Sequence, residues 1–84
     1  PGAYFIMNDK KIKVYESEYD GEKNYFQPGY VIKADESGIY VAACEGTIIL
    51  KEIQMPGKNK MKVDAYLRGN KFPDNKNASL KIKT

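Results

Sequence analysis

The sequence contains no histidine and no tryptophan, and it has a single cysteine, Cys44. Without histidine, the chain lacks the side chain most used for acid–base catalysis near neutral pH and the commonest protein ligand of transition metals. A single cysteine excludes an internal disulfide and a zinc site built from several cysteines. Cys44 also has no histidine to activate it, and its place in an apolar run predicts a buried structural residue. Enzyme chemistry is therefore the weakest function class for these residues.

Length and composition are typical of one small globular domain. The chain has 84 residues, of which 42% are hydrophobic and 30% are charged, unlike disordered chains, which have low hydrophobicity. Folding a domain of this size hides only about 60% of the surface that the unfolded chain exposes, so the core must be thin. Because there are seven tyrosines and three phenylalanines, we expect aromatic side chains to fill much of this core. No apolar run is long enough to span a membrane.

The net charge of +3 is distributed unevenly along the chain. Residues 1–50 contain five lysines and eight acidic residues, a net charge of −3, whereas residues 51–84 contain nine basic and three acidic residues, a net charge of +6. A chain with an acidic and a basic half is a candidate for binding an anionic polymer through the basic half. The alternative is that the lysines simply cover a solvated surface.

Short apolar runs separated by turn residues dominate the sequence and predict a mainly β fold. The predicted strands cover residues 4–7, 10–15, 30–34, 39–44 and 47–53. The second run alternates polar and apolar residues until the alternation fails at Tyr15, which predicts a β-bulge or an edge position there. Strands at this spacing, with glycine in the turns, favour a small barrel or sandwich over parallel βαβ units.

Two segments between and after these strands are read as irregular. Residues 16–24 are rich in acids and contain Asp20-Gly21, a turn signal, so they predict a mobile loop. Their alternating carboxylates lack the pattern of a calcium-binding loop, and a solvated acidic loop is the better interpretation. Residues 70–84 are rich in asparagine and lysine and remain open between a last strand and a frayed tail.

A single stretch has helical spacing. Val63, Tyr66 and Leu67 stand at positions i, i+3 and i+4, which predicts a short helix near residues 62–68 with one apolar face. Gly69 stands where a C′ glycine would end the helix. Lys62 is a poor N-cap because its side chain has no oxygen to accept a backbone hydrogen bond.

A basic segment gives the strongest indication of a ligand. Lysines alternate across a Pro-Gly turn within residues 55–62, and further basic residues follow on the predicted helix and beyond it. The candidate contacts are Lys58, Lys60, Lys62, Arg68 and Lys71. Such side chains suit contacts to nucleic-acid phosphates, which position the ligand without reading its sequence. Stacking of bases on Tyr25 or Phe26 would add to this binding, although such residues more often anchor a core or a loop. The alternative for the lysines is an ordinary solvated loop.

The same segment resembles a pattern near the end of the methionyl-tRNA formyltransferase family. In that family a Gly-Lys-basic-basic-Met loop leads to an aromatic-Leu-Arg-Gly helix end; here residues 57–61 read Gly-Lys-Asn-Lys-Met and residues 66–69 read Tyr-Leu-Arg-Gly. Residues 1–4 resemble the end of the linker after the catalytic domain, and residues 8–14 resemble the hairpin that follows. The turns at Pro28-Gly29, Gly38 and Glu45-Gly46 also fall where the family has turns. The resemblance spans residues 1–69.

The resemblance implies an OB-fold-like open Greek-key barrel of about five to six short strands with one short helix near residues 62–68. It divides the chain into a linker end at residues 1–3, a barrel domain at residues 4–69 and a tail at residues 70–84. The family's catalytic Asn, His and Asp and its formyl donor, 10-formyltetrahydrofolate, belong to a separate catalytic domain. We therefore expect no catalytic residue, cofactor site or metal site in this chain.

The resemblance also implies a partner, the initiator Met-tRNA, which the family's small domain helps to hold through basic surface residues. By position this role falls on Lys58, Lys60 and Arg68, with Lys62 and Lys71 as local additions. The other expected partner is the catalytic formyltransferase domain in cis. We expect a cytoplasmic monomer without a membrane partner.

Three residues depart from the family pattern. Asn59 stands where a basic residue is usual, and Lys62 stands where a small hydroxyl residue usually caps the helix. Cys44 occupies a usual glycine site, which predicts a differently shaped turn. Related formyltransferases that act on folate or on sugar nucleotides also carry a small barrel, so the alternative function is a structural barrel that buttresses such a catalytic domain. The basic loop and the Leu-Arg-Gly helix end together favour the tRNA enzyme.

Overall fold

An antiparallel sheet and one short helix form the fold. The computed structural model describes residues 4–7 and 9–72 and the backbone of residues 81–83; the predicted linker end at residues 1–3 lies outside them. The elements in the described residues are β1 (Tyr4–Met7), β2 (Lys10–Asp20), β3 (Val31–Asp35), β4 (Gly38–Ala42), β5 (Thr47–Gln54), β6 (Lys60–Lys62), α1 (Val63–Gly69) and β7 (Lys81–Lys83). The mainly β prediction is confirmed, although the structure has more strands than the five or six expected. No helix in this part of the chain is long and apolar enough to cross a membrane.

The strand order is that of a curled Greek-key sheet. The strands are arranged β3-β4-β5-β2-β1-β7. β6 pairs with residues 52–54 of β5, beyond the part of β5 that pairs with β4. Strands β3, β4 and β5 form a meander, and β2 lies beside β5, which is the Greek-key arrangement of four antiparallel strands. The sheet curls into a half-barrel, so the prediction of an OB-fold-like open barrel is confirmed. β7 extends the sheet beyond β1 and lies in the segment that the sequence left open between a strand and a tail.

A β-bulge bends the long pairing of β2 with β5. Val14 pairs with Ile53 and Glu16 pairs with Glu52, so Tyr15 is an extra residue on β2. A second register shift follows one pair later. Bulges increase the local twist and bend a strand. The bulge predicted at Tyr15 is thus confirmed.

The prediction of a mobile loop beginning at residue 16 is wrong. β2 continues to Asp20, which pairs with Thr47 of β5. The side chains of this part of β2 are exposed, so its own sequence lacks the apolar alternation of a half-buried strand, and its backbone pairing with β5 defines it. The connection to β3 covers only residues 21–30, where the Asn24 side-chain amide donates hydrogen bonds to the Gly46 carbonyl (2.7 Å) and the Thr47 hydroxyl (3.2 Å).

Aliphatic side chains from the inner face of the sheet and from α1 form most of the core. The buried cluster consists of Phe5, Met7, Ile12, Val14, Val31, Ile39, Val41, Leu50, Ile53, Val63 and Phe72. The expectation that aromatic residues fill the core is wrong, since Phe5 and Phe72 are its only aromatic members among the described residues. Five aromatic side chains are exposed instead: Tyr15, Tyr19, Tyr25, Phe26 and Tyr30.

The helix α1 packs on the core through its predicted apolar face, Val63, Tyr66 and Leu67. It begins after Lys62, which forms no side-chain cap, as predicted. The prediction that Gly69 is the C′ residue is wrong, because Gly69 is the last helical residue and the extended Asn70 follows it. The Asn70 side-chain amide donates a hydrogen bond of 3.1 Å to the Tyr66 carbonyl, which satisfies one of the helix-end acceptors.

Cys44 is exposed, so its predicted burial is also wrong. β4 ends at Ala42, and the Ala43 N–H donates a hydrogen bond of 3.0 Å to the Gly46 carbonyl across the tight connection to β5. Four of the five β4 residues are buried, which confirms a strand covered on both faces. The apolar run thus continues two residues past the strand, and Cys44 lies in the turn.

Candidate nucleic-acid interface

The turn between β5 and β6 presents the first of the predicted basic residues. Gly57 adopts a φ of +73°, and the Lys58 N–H donates a hydrogen bond of 3.0 Å to the Met55 carbonyl. The Gln54 side-chain amide donates another of 3.0 Å to the Lys58 carbonyl. These contacts hold the backbone of the turn, while the Lys58 side chain is exposed and forms no ion pair within the described part of the chain. Its charge is therefore available to a ligand.

Lys60, on β6, lies over an aromatic ring. Its Nζ is 4.9 Å from the centroid of the Tyr15 ring, within the range of a cation–π interaction. The Tyr15 hydroxyl donates a hydrogen bond of 3.0 Å to Gln54 Oε1, and Gln54 pairs with Lys60 across β5 and β6. The bulge residue thus orients the lysine without neutralising it.

Lys62 and Arg68 each contact a carboxylate. Lys62 Nζ lies 3.3 Å from Glu16 Oε1, and Arg68 Nη2 lies 3.3 Å from Asp64 Oδ2 within α1. Exposed ion pairs of this kind contribute only about 0–1 kcal/mol, so either cation can exchange its partner for a phosphate. The local charge is nevertheless compensated, which makes both residues weaker candidates than Lys58 and Lys60.

Arg68 and the exposed Lys71 line a different part of the surface from the turn. They border a groove together with residues of β3 and its following turn, including Asp35 and Glu36. Hydrogen bonds from the Ser37 hydroxyl and N–H, and to a lesser extent Lys33, hold the pKa of the exposed Asp35 carboxyl below its ordinary value. This carboxylate keeps its negative charge near neutral pH, so the groove around Arg68 and Lys71 has mixed charge.

Sequence reasoning missed two lysines that adjoin the turn. Lys11 and Lys13 of β2 line one shallow groove of about 130 Å³ with Gln54 and residues 55–57. They belong to the half of the sequence that is acidic overall, so the charge count along the chain concealed them. The alternation of the run 10–15 was the signal that would have found them, because it places both lysines on the face opposite the buried Ile12 and Val14.

The aromatic residues considered for base stacking lie away from the basic turn. Tyr25 is 89% exposed, whereas Phe26 stacks on Tyr30 with ring centroids 4.8 Å apart. Their loop follows Asp20, which pairs with Thr47 at the start of β5, whereas the basic turn follows Gln54 at the end of β5. The two ends of this eight-residue strand are about 23 Å apart. Among the residues that the structure describes, no group of three acidic or cysteine side chains is placed to hold a metal ion.

Comparison with known proteins identifies relatives over most of this chain. Three methionyl-tRNA formyltransferases illustrate the similarity: that of Clostridium novyi (strain NT) is 44% identical over 70 residues, that of Clostridium tetani (strain Massachusetts / E88) 42% over 72, and that of Rickettsia bellii (strain RML369-C) 38% over 73. These alignments cover 83%, 86% and 87% of this chain. The chain spans only 23% of the length of each of these relatives.

The family comparison covers the barrel and α1 together. The model of the formyl transferase C-terminal domain matches residues 1–71, which include strands β1 to β6, the basic turn and the helix with Arg68. The half-barrel fold and the resemblance of residues 57–69 agree with this match. The chain therefore belongs to the family of formyl transferase C-terminal domains.

Proposed function

We propose that this chain is the tRNA-positioning part of a methionyl-tRNA formyltransferase that acts on initiator Met-tRNA during translation initiation in the cytoplasm. The observation that carries the proposal is the β5–β6 turn, where Lys58 and Lys60 form no ion pair with any carboxylate among the residues that the structure describes. The relatives whose alignments include this turn are named methionyl-tRNA formyltransferases. Phosphate is the group of a tRNA that such exposed lysines recognise best.

In this proposal the chain contributes binding and orientation, and it acts as a monomer. Lys58 and Lys60 neutralise backbone phosphates. Lys62 and Arg68 add phosphate contacts by exchanging their carboxylate partners for a phosphate, and Lys71 adds one from the groove of mixed charge. The catalytic residues and the formyl donor, 10-formyltetrahydrofolate, belong to the part of the protein that the relatives have beyond this region. Because this chain holds the tRNA body next to the catalytic domain in cis, it raises the effective concentration of the acceptor end at that domain.

The test is a titration of the 84-residue chain with an initiator tRNA transcript at several salt concentrations. If the predicted residues neutralise about three phosphates, the plot of log affinity against log salt has a slope of about −2 to −3. The variant Lys58→Glu/Lys60→Glu should weaken binding by about tenfold or more and bring the slope about two units closer to zero.

A variant with the same change of charge elsewhere serves as the control. Lys10 pairs with the buried Met7 and Lys23 lies in the loop after β2, so Lys10→Glu/Lys23→Glu leaves the basic turn intact. The affinity of this variant for tRNA should stay within about threefold of that of the unmodified chain, since salt screens the interaction of these distant charges with the bound RNA. An affinity that ignores salt, or that survives the double change at Lys58 and Lys60, would contradict the proposal.

A structural role is the second candidate, and one observation favours it. Tyr19, Tyr25, Phe26 and Tyr30 are exposed at the end of the sheet away from the basic turn, and exposed aromatic residues are enriched where proteins contact each other. In this alternative the barrel buttresses a catalytic domain and the lysines are solvated. The titration separates the two candidates, because a purely structural barrel would bind no tRNA even at low salt.

A further inference from the structure

A continuous row of side chains crosses four strands beside the basic turn. Tyr4 of β1 pairs with Lys13 of β2, Lys13 pairs with Gln54 of β5, and Gln54 pairs with Lys60 of β6. Neighbouring strands lie about 4.8 Å apart, so the row is about 14 Å long. It lies on the outer face, since its neighbours along the strands, Phe5 and Ile12 among them, are buried in the core.

Two lysines of this surface rest on tyrosine rings. Lys11 Nζ lies 4.4 Å from the centroid of the Tyr4 ring, and Lys60 Nζ lies 4.9 Å from that of Tyr15. A cation–π contact orients the ammonium group but leaves its charge uncompensated, unlike an ion pair. We call this surface the lysine–tyrosine face; it consists of Tyr4, Lys11, Lys13, Tyr15, Gln54 and Lys60.

The lysine–tyrosine face lacks ion pairs among the residues that the structure describes. The three pairs found there involve Lys33, Lys62 and Arg68, none of which belongs to the face. The closest acidic residue along β2, Glu16, is engaged by Lys62. The groove lined by Lys11, Lys13 and Gly57 joins the face to the turn that carries Lys58. Four lysines that have no ion pair within the described part of the chain therefore border one continuous surface.

We propose that Lys11 and Lys13 bind the phosphate backbone of the same RNA that contacts the turn, so that the ligand crosses the outer face of β1, β2, β5 and β6. This inference rests on the proposed function. Several uncompensated positive charges spread over a broad, shallow surface match the regular charge of a nucleic-acid backbone. Tyr4 and Tyr15 act as positioning residues, because they hold two of the ammonium groups on this surface.

The inference changes the expected salt dependence. Two further lysines raise the number of neutralised phosphates from about three to about five, so the unmodified chain should show a slope of about −3.5 to −4.5 with an initiator tRNA transcript. In Lys11→Glu/Lys13→Glu the slope should return to between about −2 and −3, and affinity should fall by about tenfold or more. The control Lys10→Glu/Lys23→Glu should stay within about threefold of the unmodified chain.

The outcomes separate this inference from the proposed function. Loss of affinity in Lys58→Glu/Lys60→Glu but none in Lys11→Glu/Lys13→Glu overturns the inference and leaves the proposed function standing. No tRNA binding by the unmodified chain overturns both. Equal loss in the Lys10/Lys23 control, or competition by poly-L-glutamate as effective as that by unlabelled tRNA at equal charge, overturns the inference, since either result indicates attraction to any polyanion. Should the double glutamate variant not fold by circular dichroism, Lys11→Gln/Lys13→Gln removes the same two cations and should show the same change of slope.

Discussion

The charge that a lysine offers to a ligand depends on what its ammonium group already contacts. Lys62 lies within ion-pair distance of a carboxylate, whereas Lys11 and Lys60 lie over tyrosine rings, and Lys33 has both kinds of contact. The first kind must exchange one anion for another on binding a phosphate, while the second already presents its full charge. A count of lysines along the chain does not distinguish these cases, whereas the contacts of each ammonium group do.

Asp35 gives a pH-dependent prediction at the same scale. Its carboxylate accepts hydrogen bonds from the Ser37 hydroxyl and from the Ser37 N–H (2.8 Å), and Lys33 Nζ lies 3.7 Å away. These contacts favour the charged form and lower the pKa of Asp35 from its ordinary value of 3.8. A pKa lowered by folding stabilises the native state fully above the unfolded value, and that stabilisation is lost as the pH falls through the folded pKa.

Ser37→Ala should therefore raise the pKa of Asp35 part of the way toward its ordinary value, because the backbone N–H donor remains. The measurement is an NMR titration of the Asp35 carboxyl carbon in both proteins. Ser17→Ala, on the exposed part of β2, is the matched control and should leave this titration unchanged. An unaltered Asp35 titration in Ser37→Ala would show that the hydroxyl does not set the pKa.

Among the secondary-structure elements, β5 organises the sheet. It pairs with β2 along one edge and with β4 and then β6 along the other. Its apolar residues were readable in the sequence, as were those of β1 and β4. The distal half of β2 and the short β6 were not predicted, because their side chains are mostly exposed and the backbone of β5 supplies their hydrogen bonds. A strand that is held mainly by backbone hydrogen bonds to its neighbour cannot be predicted from the pattern of its own side chains.

The β4–β5 turn depends on a glycine for two reasons. Gly46 has a φ of +89°, and a Cβ added there would lie 2.3 Å from the Asp20 carbonyl oxygen at the end of β2. Gly57, in the basic turn, has a φ of +73°, but a Cβ there would meet nothing within 4 Å. The two positions share the backbone requirement and differ in the space around the Cβ.

Alanine at each position should separate these effects. Gly57→Ala should lower the free energy of unfolding by about 1–2 kcal/mol, the cost of a left-handed conformation for a residue with a Cβ. Gly46→Ala should lower it by about 1–3 kcal/mol more, because the backbone of β2 must move to relieve the clash. Urea denaturation followed by circular dichroism gives both values, and equal losses would indicate that β2 and the β4–β5 turn do not pack as described.

At the scale of the whole molecule, folding redistributes the charge that the sequence separates into halves. Lys11 and Lys13, from the acidic half, border the basic turn from the other half. The local part of the candidate site, Lys58 and Lys60, could be predicted because those residues are neighbours in sequence. Lys11 and Lys13 could not be assigned to it, since their proximity depends on the antiparallel register of β2 and β5 across about 40 residues of chain.

The same register places Ile53 in the buried core, where it pairs with Val14 and Met61 and has no exposed surface. Ile53→Ala should lower the free energy of unfolding by about 2–5 kcal/mol, since the thin core has few other side chains to fill the cavity. That is a large share of the roughly 4–13 kcal/mol typical of a domain of this length. Ile49→Ala, at a half-buried position on β5, should cost only about 1 kcal/mol. Urea denaturation of both variants checks the difference, and a larger loss at Ile49 would place the core on the other face of β5 and remove the basis for assigning Lys13, Gln54 and Lys60 to one outer surface.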